Sequence, residues 1–252
     1  MFELIKSRVA HGFPYIKEIR KATVAESFRG MPEFRKNVCK DCSLCEEVCP
    51  TGAISTKPLR IDLGKCIFCG DCERNCARNA IKFTSYHKLS TSSRELLIVS
   101  ENDSLENFKK KAIRVNKEIK RVFGHSLKLR QVSAGGCNAC EMELNACSNV
   151  NFDMGRFGIE FTASPRHADG IVVTGPISGN MSNALEDAYR AIPEPKLIIV
   201  AGSCAISGGI FKESPALNRT FFKKHKVDLY VPGCPIHPLT FINGVLHLIK
   251  GA

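Results

Sequence analysis

Eight of the thirteen cysteines in this 252-residue chain fall between Cys39 and Cys76, and their spacing is regular. Cys39, Cys42, Cys45 and Cys49 form a Cys-x2-Cys-x2-Cys-x3-Cys run, which returns 27 residues later as Cys66, Cys69, Cys72 and Cys76. Three thiolates on one tight loop reach three corners of a cubane iron–sulfur cluster, while the fourth, at the start of a helix, reaches the neighbouring cluster. The spacing therefore assigns Cys39, Cys42, Cys45 and Cys76 to one [4Fe–4S] centre, and Cys66, Cys69, Cys72 and Cys49 to a second. Pro50 follows the first run as expected of such loops, and Ala77 takes its place in the second. Four thiolates also suit zinc, but two complete copies of the run favour clusters. The duplication extends into the flanks, where Ala53 and Ile54 match Ala80 and Ile81, so one supersecondary unit is used twice and its copies are expected to pack together.

A second set is dispersed: Cys137 and Cys140, then Cys204, then Cys234, with Cys147 as the odd thiol. On spacing alone, Cys137-Asn138-Ala139-Cys140 admits a redox dithiol or half a zinc site. The second close pair of a zinc site is missing. Cys204 follows Gly202-Ser203 and precedes Gly208-Gly209, and Cys234 sits in Pro232-Gly233-Cys234-Pro235. Small residues expose backbone amides to a metal group, and N–H bonds to sulfur tune reduction potentials. Those contexts favour a third [4Fe–4S] centre on Cys137, Cys140, Cys204 and Cys234.

Composition limits the alternatives. Apolar residues make up 44% and charged residues 24%, which excludes disordered and collagen-like chains. The longest apolar run, Leu197 to Ala201, is far short of the roughly 20 residues of a membrane helix, and the N-terminus lacks the apolar core and cleavage site of a secretory signal. An odd number of cysteines without such a signal argues against a disulfide scaffold. The formal charge of +11 suggests an anionic partner, yet three clusters at about −2 each with their thiolates would leave roughly +5. A zinc-stabilised nucleic-acid-binding protein is the rival that the charge motivates. No nucleic-acid motif or aromatic platform supports it, and no P-loop or dinucleotide fingerprint supports nucleotide use.

The elements that must position these thiols follow from pattern. Residues 127–133, 159–164, 170–175, 196–202 and 227–233 read as short, largely apolar strands ending in small residues, with helical stretches at 182–192 and 238–250 between and after them. That alternation predicts a parallel sheet covered on both faces. Sites in such sheets form beyond the carboxyl ends of the strands, where Gly135-Gly136-Cys137, Gly175-Pro176, Gly202-Ser203-Cys204 and Pro232-Gly233-Cys234 all lie. Upstream, residues 93–100 read as a strand. Residues 106–123 read as one basic amphipathic helix with Phe108, Ala112, Val115, Ile119 and Val122 on its apolar face.

Residues 1–90, with LIKSRVAHG, Phe28-Arg29-Gly30, the two runs and Lys65-Cys66-Ile67-Phe68-Cys69-Gly70, resemble the two-cluster ferredoxin subunit of formate hydrogenlyase and respiratory complex I. Residues 126–252 resemble the small, cluster-carrying subunit of membrane-bound, energy-converting [NiFe] hydrogenases. The matching pieces are Gly135-Gly136-Cys137-Asn138-Ala139-Cys140-Glu141, Ser164-Pro165-Arg166-His167-Ala168-Asp169, Gly202-Ser203-Cys204 with Gly208-Gly209, and Pro232-Gly233-Cys234-Pro235. The complex I relative usually has adjacent cysteines at the first position, whereas two residues separate Cys137 from Cys140, which favours the hydrogenase side. Those families usually carry the two parts on separate chains; a fusion raises their effective concentration.

The resemblance implies an α+β ferredoxin-like two-cluster domain followed by an α/β flavodoxin-like domain with a parallel sheet. The expected divisions are an N-terminal amphipathic segment (1–32), the 2[4Fe–4S] domain (33–90), a basic helical linker (91–125) and the small-subunit-like domain (126–252). Three [4Fe–4S] clusters would relay electrons to or from the [NiFe] site of a partner large subunit, where protons and hydrogen interconvert. The chain lacks further Cys-x2-Cys pairs for nickel and is not expected to be catalytic alone. Expected partners are that large subunit, membrane-embedded subunits of the same complex, and formate dehydrogenase or a soluble ferredoxin, with no nucleic acid. The expected location is cytoplasmic, peripheral on the inner face of the cell membrane. The alternative is a complex I-like module serving a quinone or another acceptor.

Among the remaining residues, Cys147 reads as a small buried hydrophobe, and Glu141, directly after a ligand, reads as a surface carboxylate rather than as a proton relay or a group that tunes the cluster. His167, beside Arg166 and near Asp169, reads as a loop histidine that the resemblance moves towards a subunit interface. His11, His87, His125, His225, His237 and His247 show no ligand spacing and read as surface or packing residues. Phe2, Ile5, Val9 and Phe13, with Lys6, Arg8 and Lys17, suit a helix lying on a membrane surface, on a partner or on the protein's own core.

Overall fold

The computed structural model describes residues 2–35, 38–39, 42–114 and 117–251. Helix α1 (Phe2–His11) buries none of its residues, so its apolar side chains are not used by the chain's own core. The duplicated run follows as two equivalent loop–helix–strand units. In the first, α2 (Leu44–Glu47) precedes β2 (Ile54–Thr56); in the second, α3 (Asp71–Arg74) precedes β4 (Ile81–Phe83). Strand β1 (Pro32–Phe34) pairs antiparallel with β4, and β2 pairs antiparallel with β3 (Leu59–Asp62). The two short helices contact each other, so the copies pack together as the repeat predicts. Repetition reaches the hydrogen bonds: Glu46 accepts from the Thr56 N–H at 3.1 Å, and Glu73 accepts from the Phe83 N–H at 3.2 Å.

The connecting segment is bound to both halves. Strand β5 (Ile98–Ser100) adds to β3 as the third strand of that sheet, and Thr91 bridges to Tyr230 in the other half. The basic stretch predicted as one helix is two, α4 (Leu105–Lys111) and α5 (Lys117–Phe123). The break has its cause in an upstream segment: Ser92 donates its N–H to the Ala112 carbonyl, and its hydroxyl accepts from the Arg114 N–H, taking backbone groups a continuous helix would use itself. The packed face shifts with the break. Phe108, Ala112, Ile113 and Phe123 are buried, whereas Val122 is 44% exposed; Val115 lies outside the described residues.

Beyond residue 126 the chain forms an α/β layer. Strands β6 (Leu127–Ser133), β7 (Ile159–Phe161), β8 (Gly170–Thr174), β9 (Leu197–Ala201) and β10 (Leu229–Val231) make a parallel sheet in the order β10-β9-β8-β6-β7. This is the flavodoxin-like 2-1-3-4-5 order, whose switch point lies between β6 and β8. β8 and β9 are buried at every residue, as strands covered on both faces must be. The flanking helices are α6 (Ala139–Ala146), α7 (Gly179–Ala191), the short α8 (Ser203–Ser207) and α9 (Phe221–Lys224), and α10 (Pro238–Lys250).

Helix α10 forms the seam between the halves, and eleven of its thirteen residues are buried. Thr240 donates its hydroxyl to the His87 carbonyl at 2.7 Å, while Ser90 donates to the Thr240 carbonyl at 2.9 Å. Gly244 permits this approach, because a Cβ there would come within 2.4 Å of the Ser90 Oγ.

Candidate iron–sulfur sites

Each duplicated run gathers thiols across the two units. Cys39 and Cys45 feel Cys76 and Cys42 electrostatically, and Cys45 also feels Cys39. Cys66 feels Cys72, Cys49 and Cys69, and Cys72 feels Cys49 and Cys69. The last cysteine of each run thus lies near the first three of the other. Cys39, Cys42, Cys45 and Cys76 line one cavity of about 210 Å³, and Cys49, Cys66, Cys69 and Cys72 line a second, much tighter one.

The backbone around both sets is arranged for thiolate. The Ala53 N–H donates to the Cys49 Sγ at 3.3 Å, and the Ala80 N–H to the Cys76 Sγ at 3.2 Å. These are the residues that echo each other in sequence. The Phe68 N–H donates to the Cys66 Sγ at 3.3 Å, and Arg29, from Phe28-Arg29-Gly30, holds the Phe68 carbonyl at 2.5 Å.

The dispersed set is assembled by the parallel sheet. Cys137 and Cys140 follow β6, Cys204 follows β9 and Cys234 follows β10, so three loops at the carboxyl ends of the strands supply four thiols. Cys140 feels Cys234 and Cys204; Cys204 feels Cys234 and Cys137; Cys234 feels Cys137. The Gly202 and Ser203 N–H groups bond to the Val231 and Gly233 carbonyls, each at 2.9 Å, joining the β9 and β10 loops. Gly202, at φ +94°, leaves space beside the Cys140 Sγ, since a Cβ there would sit 2.6 Å from that sulfur. Cys137 and Cys234 are exposed, and Cys140 and Cys204 are half-buried.

Burial dominates the electrostatics of the thiols. It pushes Cys45 and Cys204 up to about 11, and Cys66, Cys72 and Cys140 up to about 12, with neighbouring thiols adding to the rise. Thiolates at these positions need a cationic group to compensate them. Among the described residues, no three Cys, His, Asp or Glu side chains converge tightly enough to hold one metal ion. Desolvated thiols, with N–H donors aimed at sulfur and a glycine-lined space at Cys140, suit iron–sulfur chemistry.

A family model for a 4Fe-4S binding domain matches residues 32–55, and one for the NADH ubiquinone oxidoreductase, 20 Kd subunit, matches residues 137–248. A probable membrane-bound hydrogenase subunit mbhJ of Pyrococcus furiosus is 36% identical over 126 residues, half of this chain and 75% of that protein. The chain belongs to the 20 Kd-subunit family. Other relatives are formate hydrogenlyase subunit 7 of Escherichia coli, 40% identical over 51% of this chain and 49% of its own length, and an NADH-quinone oxidoreductase subunit of Heliobacterium modesticaldum, 43% identical over 46% and 66%. The chain is an iron–sulfur subunit of the oxidoreductase class.

Some of the surroundings differ from the sequence reading. Glu141 is buried, at 5% exposure, and accepts from the Ser133 hydroxyl at 2.5 Å and the Thr174 hydroxyl at 2.7 Å. It is not a surface carboxylate, because β6 and β8 supply hydroxyls beneath it. Cys147 is fully buried and its thiol donates to the Glu143 carbonyl, the packing role expected. His167 is exposed on the surface, while Asp169 accepts from the Lys128 N–H at 2.7 Å and ties β6 to the turn before β8.

Two contributors were not read from sequence as supports of the site. Arg219 donates to the carbonyls of Pro176, Cys204, Ala205 and Ile206 at 2.7–3.1 Å, and its charge favours the Cys204 thiolate. Ser203 donates to the Cys66 carbonyl at 2.6 Å and the Gly233 carbonyl at 3.1 Å, joining a loop of the second repeat to the dispersed set. Arg219 stands alone between motifs. Ser203 was legible only as a small neighbour of Cys204.

Proposed function

We propose that the chain relays electrons through three [4Fe–4S] clusters, held by Cys39, Cys42, Cys45 and Cys76; by Cys66, Cys69, Cys72 and Cys49; and by Cys137, Cys140, Cys204 and Cys234. Each cluster would accept and release one electron. The observation that carries the reading is the mutual electrostatic contact among Cys137, Cys140, Cys204 and Cys234, brought from three separate loops. Two observations support an order of the sites. Cys72 feels Cys45 across the two repeats, and Ser203 bonds the Cys66 loop to the loop carrying Cys204. The protein around them excludes water from the inner thiols and points N–H groups at sulfur, which tunes potential.

The outermost site faces a partner. Cys137 and Cys234 are exposed, and exposed Met142 and Ile210 lie on the elements that carry or follow the thiols. That surface suits a large subunit holding a [NiFe] centre for proton reduction or hydrogen oxidation, as the names of the hydrogenase and formate hydrogenlyase relatives suggest. Among the described residues no helix is long and apolar enough to cross a membrane. Membrane association would be peripheral, through membrane-embedded subunits and the wholly exposed α1 with Phe2, Leu4, Ile5 and Val9. In domain terms, residues 1–32 would be the amphipathic segment, 33–90 the two-cluster domain, 91–125 the linker and 126–252 the small-subunit-like domain. Formate dehydrogenase or a soluble ferredoxin would exchange electrons at the repeat end.

The NADH-quinone oxidoreductase relative supports a second reading, in which electrons pass to a quinone. Anaerobic purification with iron, sulfide, zinc and nickel analysis tests both. The proposal expects about twelve irons and twelve sulfides per chain, and nickel in a co-purifying large subunit. Zinc without sulfide overturns the cluster reading; clusters with a nickel-free large subunit support the quinone reading.

A further inference from the structure

Away from the thiols, the seam between the halves contains a cavity of about 390 Å³, within the size range of small-ligand sites. Its walls come from four parts of the chain: Arg20 from the N-terminal segment, Tyr86, Lys88 and Ser90 from the stretch after β4, Lys109 from α4, and His247 from α10. No carboxylate lines it. Asn243 and Gly244 form its floor on α10.

The basic groups are crowded without compensation. Desolvation lowers the Lys88 pKa, and the charges of Arg20 and Lys109 lower it further. Desolvation also lowers His247, again with help from Arg20 and Lys88. No acidic residue offsets the lowering at either group. Lys88 donates to the Arg20 carbonyl, and Lys109 lies 5.1 Å from the centre of the Tyr86 ring. Neither contact neutralises a charge. Arg94, by contrast, is a partly buried cation paired with a carboxylate, Asp62, at 2.6 Å. Concentrated positive charge at a concave, partly desolvated place is costly unless an anion completes it.

We propose that this cavity binds a phosphate-type anion, with Arg20, Lys88 and Lys109 supplying charge and the hydroxyl of Tyr86 supplying a neutral donor. A dianionic tetrahedral group matches several converging cations better than a single carboxylate does. Because the walls come from the N-terminal segment, the repeat half, the linker and α10, the bound anion would hold these parts together. The phosphate chemistry has two possible sources, a soluble phosphate compound or the headgroup of an anionic lipid. The anion site is independent of what the thiols hold.

The test uses the full-length, anaerobically purified, cluster-loaded chain. Inorganic phosphate is titrated calorimetrically, and flotation is measured with phosphatidylcholine vesicles with and without phosphatidylglycerol. Lys109→Gln is the principal variant, since Lys109 is exposed and its loss should leave the fold intact. Lys88→Gln is the second. Lys82→Gln, which removes an exposed charge of β4 outside the cavity, is the control. The expected result is one binding event that weakens about tenfold in each cavity variant and not in the control. Binding of free phosphate with variant-insensitive flotation identifies a soluble source. Flotation that requires phosphatidylglycerol and falls only in the cavity variants identifies a headgroup. Absence of both responses, or equal weakening by Lys82→Gln, overturns the proposal.

Discussion

The duplicated units and the dispersed site gather four thiols each by opposite means. In the repeats, three of each four sulfurs come from one short loop, and the fourth sits one run away on a unit of the same design. The donors Ala53 and Ala80 and the carboxylates Glu46 and Glu73 recur with them. In the dispersed site, only Cys137 and Cys140 are near in sequence, and the other two thiols arrive because β9 and β10 lie parallel to β6 in one sheet. A loop-encoded site needs a good turn; a sheet-encoded site needs the whole fold. The repeats should therefore tolerate damage to the α/β half better than the dispersed site does.

Breaking the dispersed site directly should have the largest effect. Cys204→Ser should remove about four of about twelve irons and sulfides and leave the remaining eight, as read by metal analysis and reduced-state electron paramagnetic resonance. Gly202→Val places carbon atoms on the Cys140 sulfur at a positive φ. It should lower occupancy at that site alone, with intact far-ultraviolet circular dichroism.

Next comes Arg219→Gln. It takes away a half-buried guanidinium that serves four carbonyls, and should cost about 3 kcal/mol in denaturant unfolding. Cluster loss should begin in the dispersed site.

A pH titration sharpens the contrast between loaded and unloaded protein. Burial holds the thiols of Cys66, Cys72, Cys140 and Cys147 near 12, against an ordinary value of 9.0. The unfolded chain therefore releases these protons at lower pH than the folded chain without metal. The stability they contribute is full below about pH 9 and is lost as pH rises towards about 12. The Tm of the unloaded chain should fall over that window more steeply than that of the loaded chain. The smallest effect is expected from Glu46→Gln and Glu73→Gln, each costing about 0.5–1 kcal/mol, and similar to one another because the repeat makes their roles equivalent.

Much of this architecture was legible because its signals are short-range. The cysteine runs, the five apolar strands and the limits of α10 all follow from spacing within a few residues. What escaped depends on contacts between distant segments. Glu141 read as exposed because nothing near it reveals that Ser133 and Thr174, on two strands, meet beneath it. The stretch 106–123 read as one helix because its periodicity is helical, and only Ser92 from upstream diverts its backbone. Glu46 and Glu73 were visible in principle, being 27 residues apart like the cysteines that precede them. Arg219 was not, since its four acceptors are carbonyls, which leave no trace in residue type.

The central claim is that four sulfurs from three loops enclose one cluster at the carboxyl edge of the sheet. Iron anomalous scattering from crystals of the anaerobically purified chain tests it most directly. The account expects three separate multi-iron peaks, one of them surrounded by Cys137, Cys140, Cys204 and Cys234. A single-atom peak there, or no peak with iron confined to the two repeats, would contradict it.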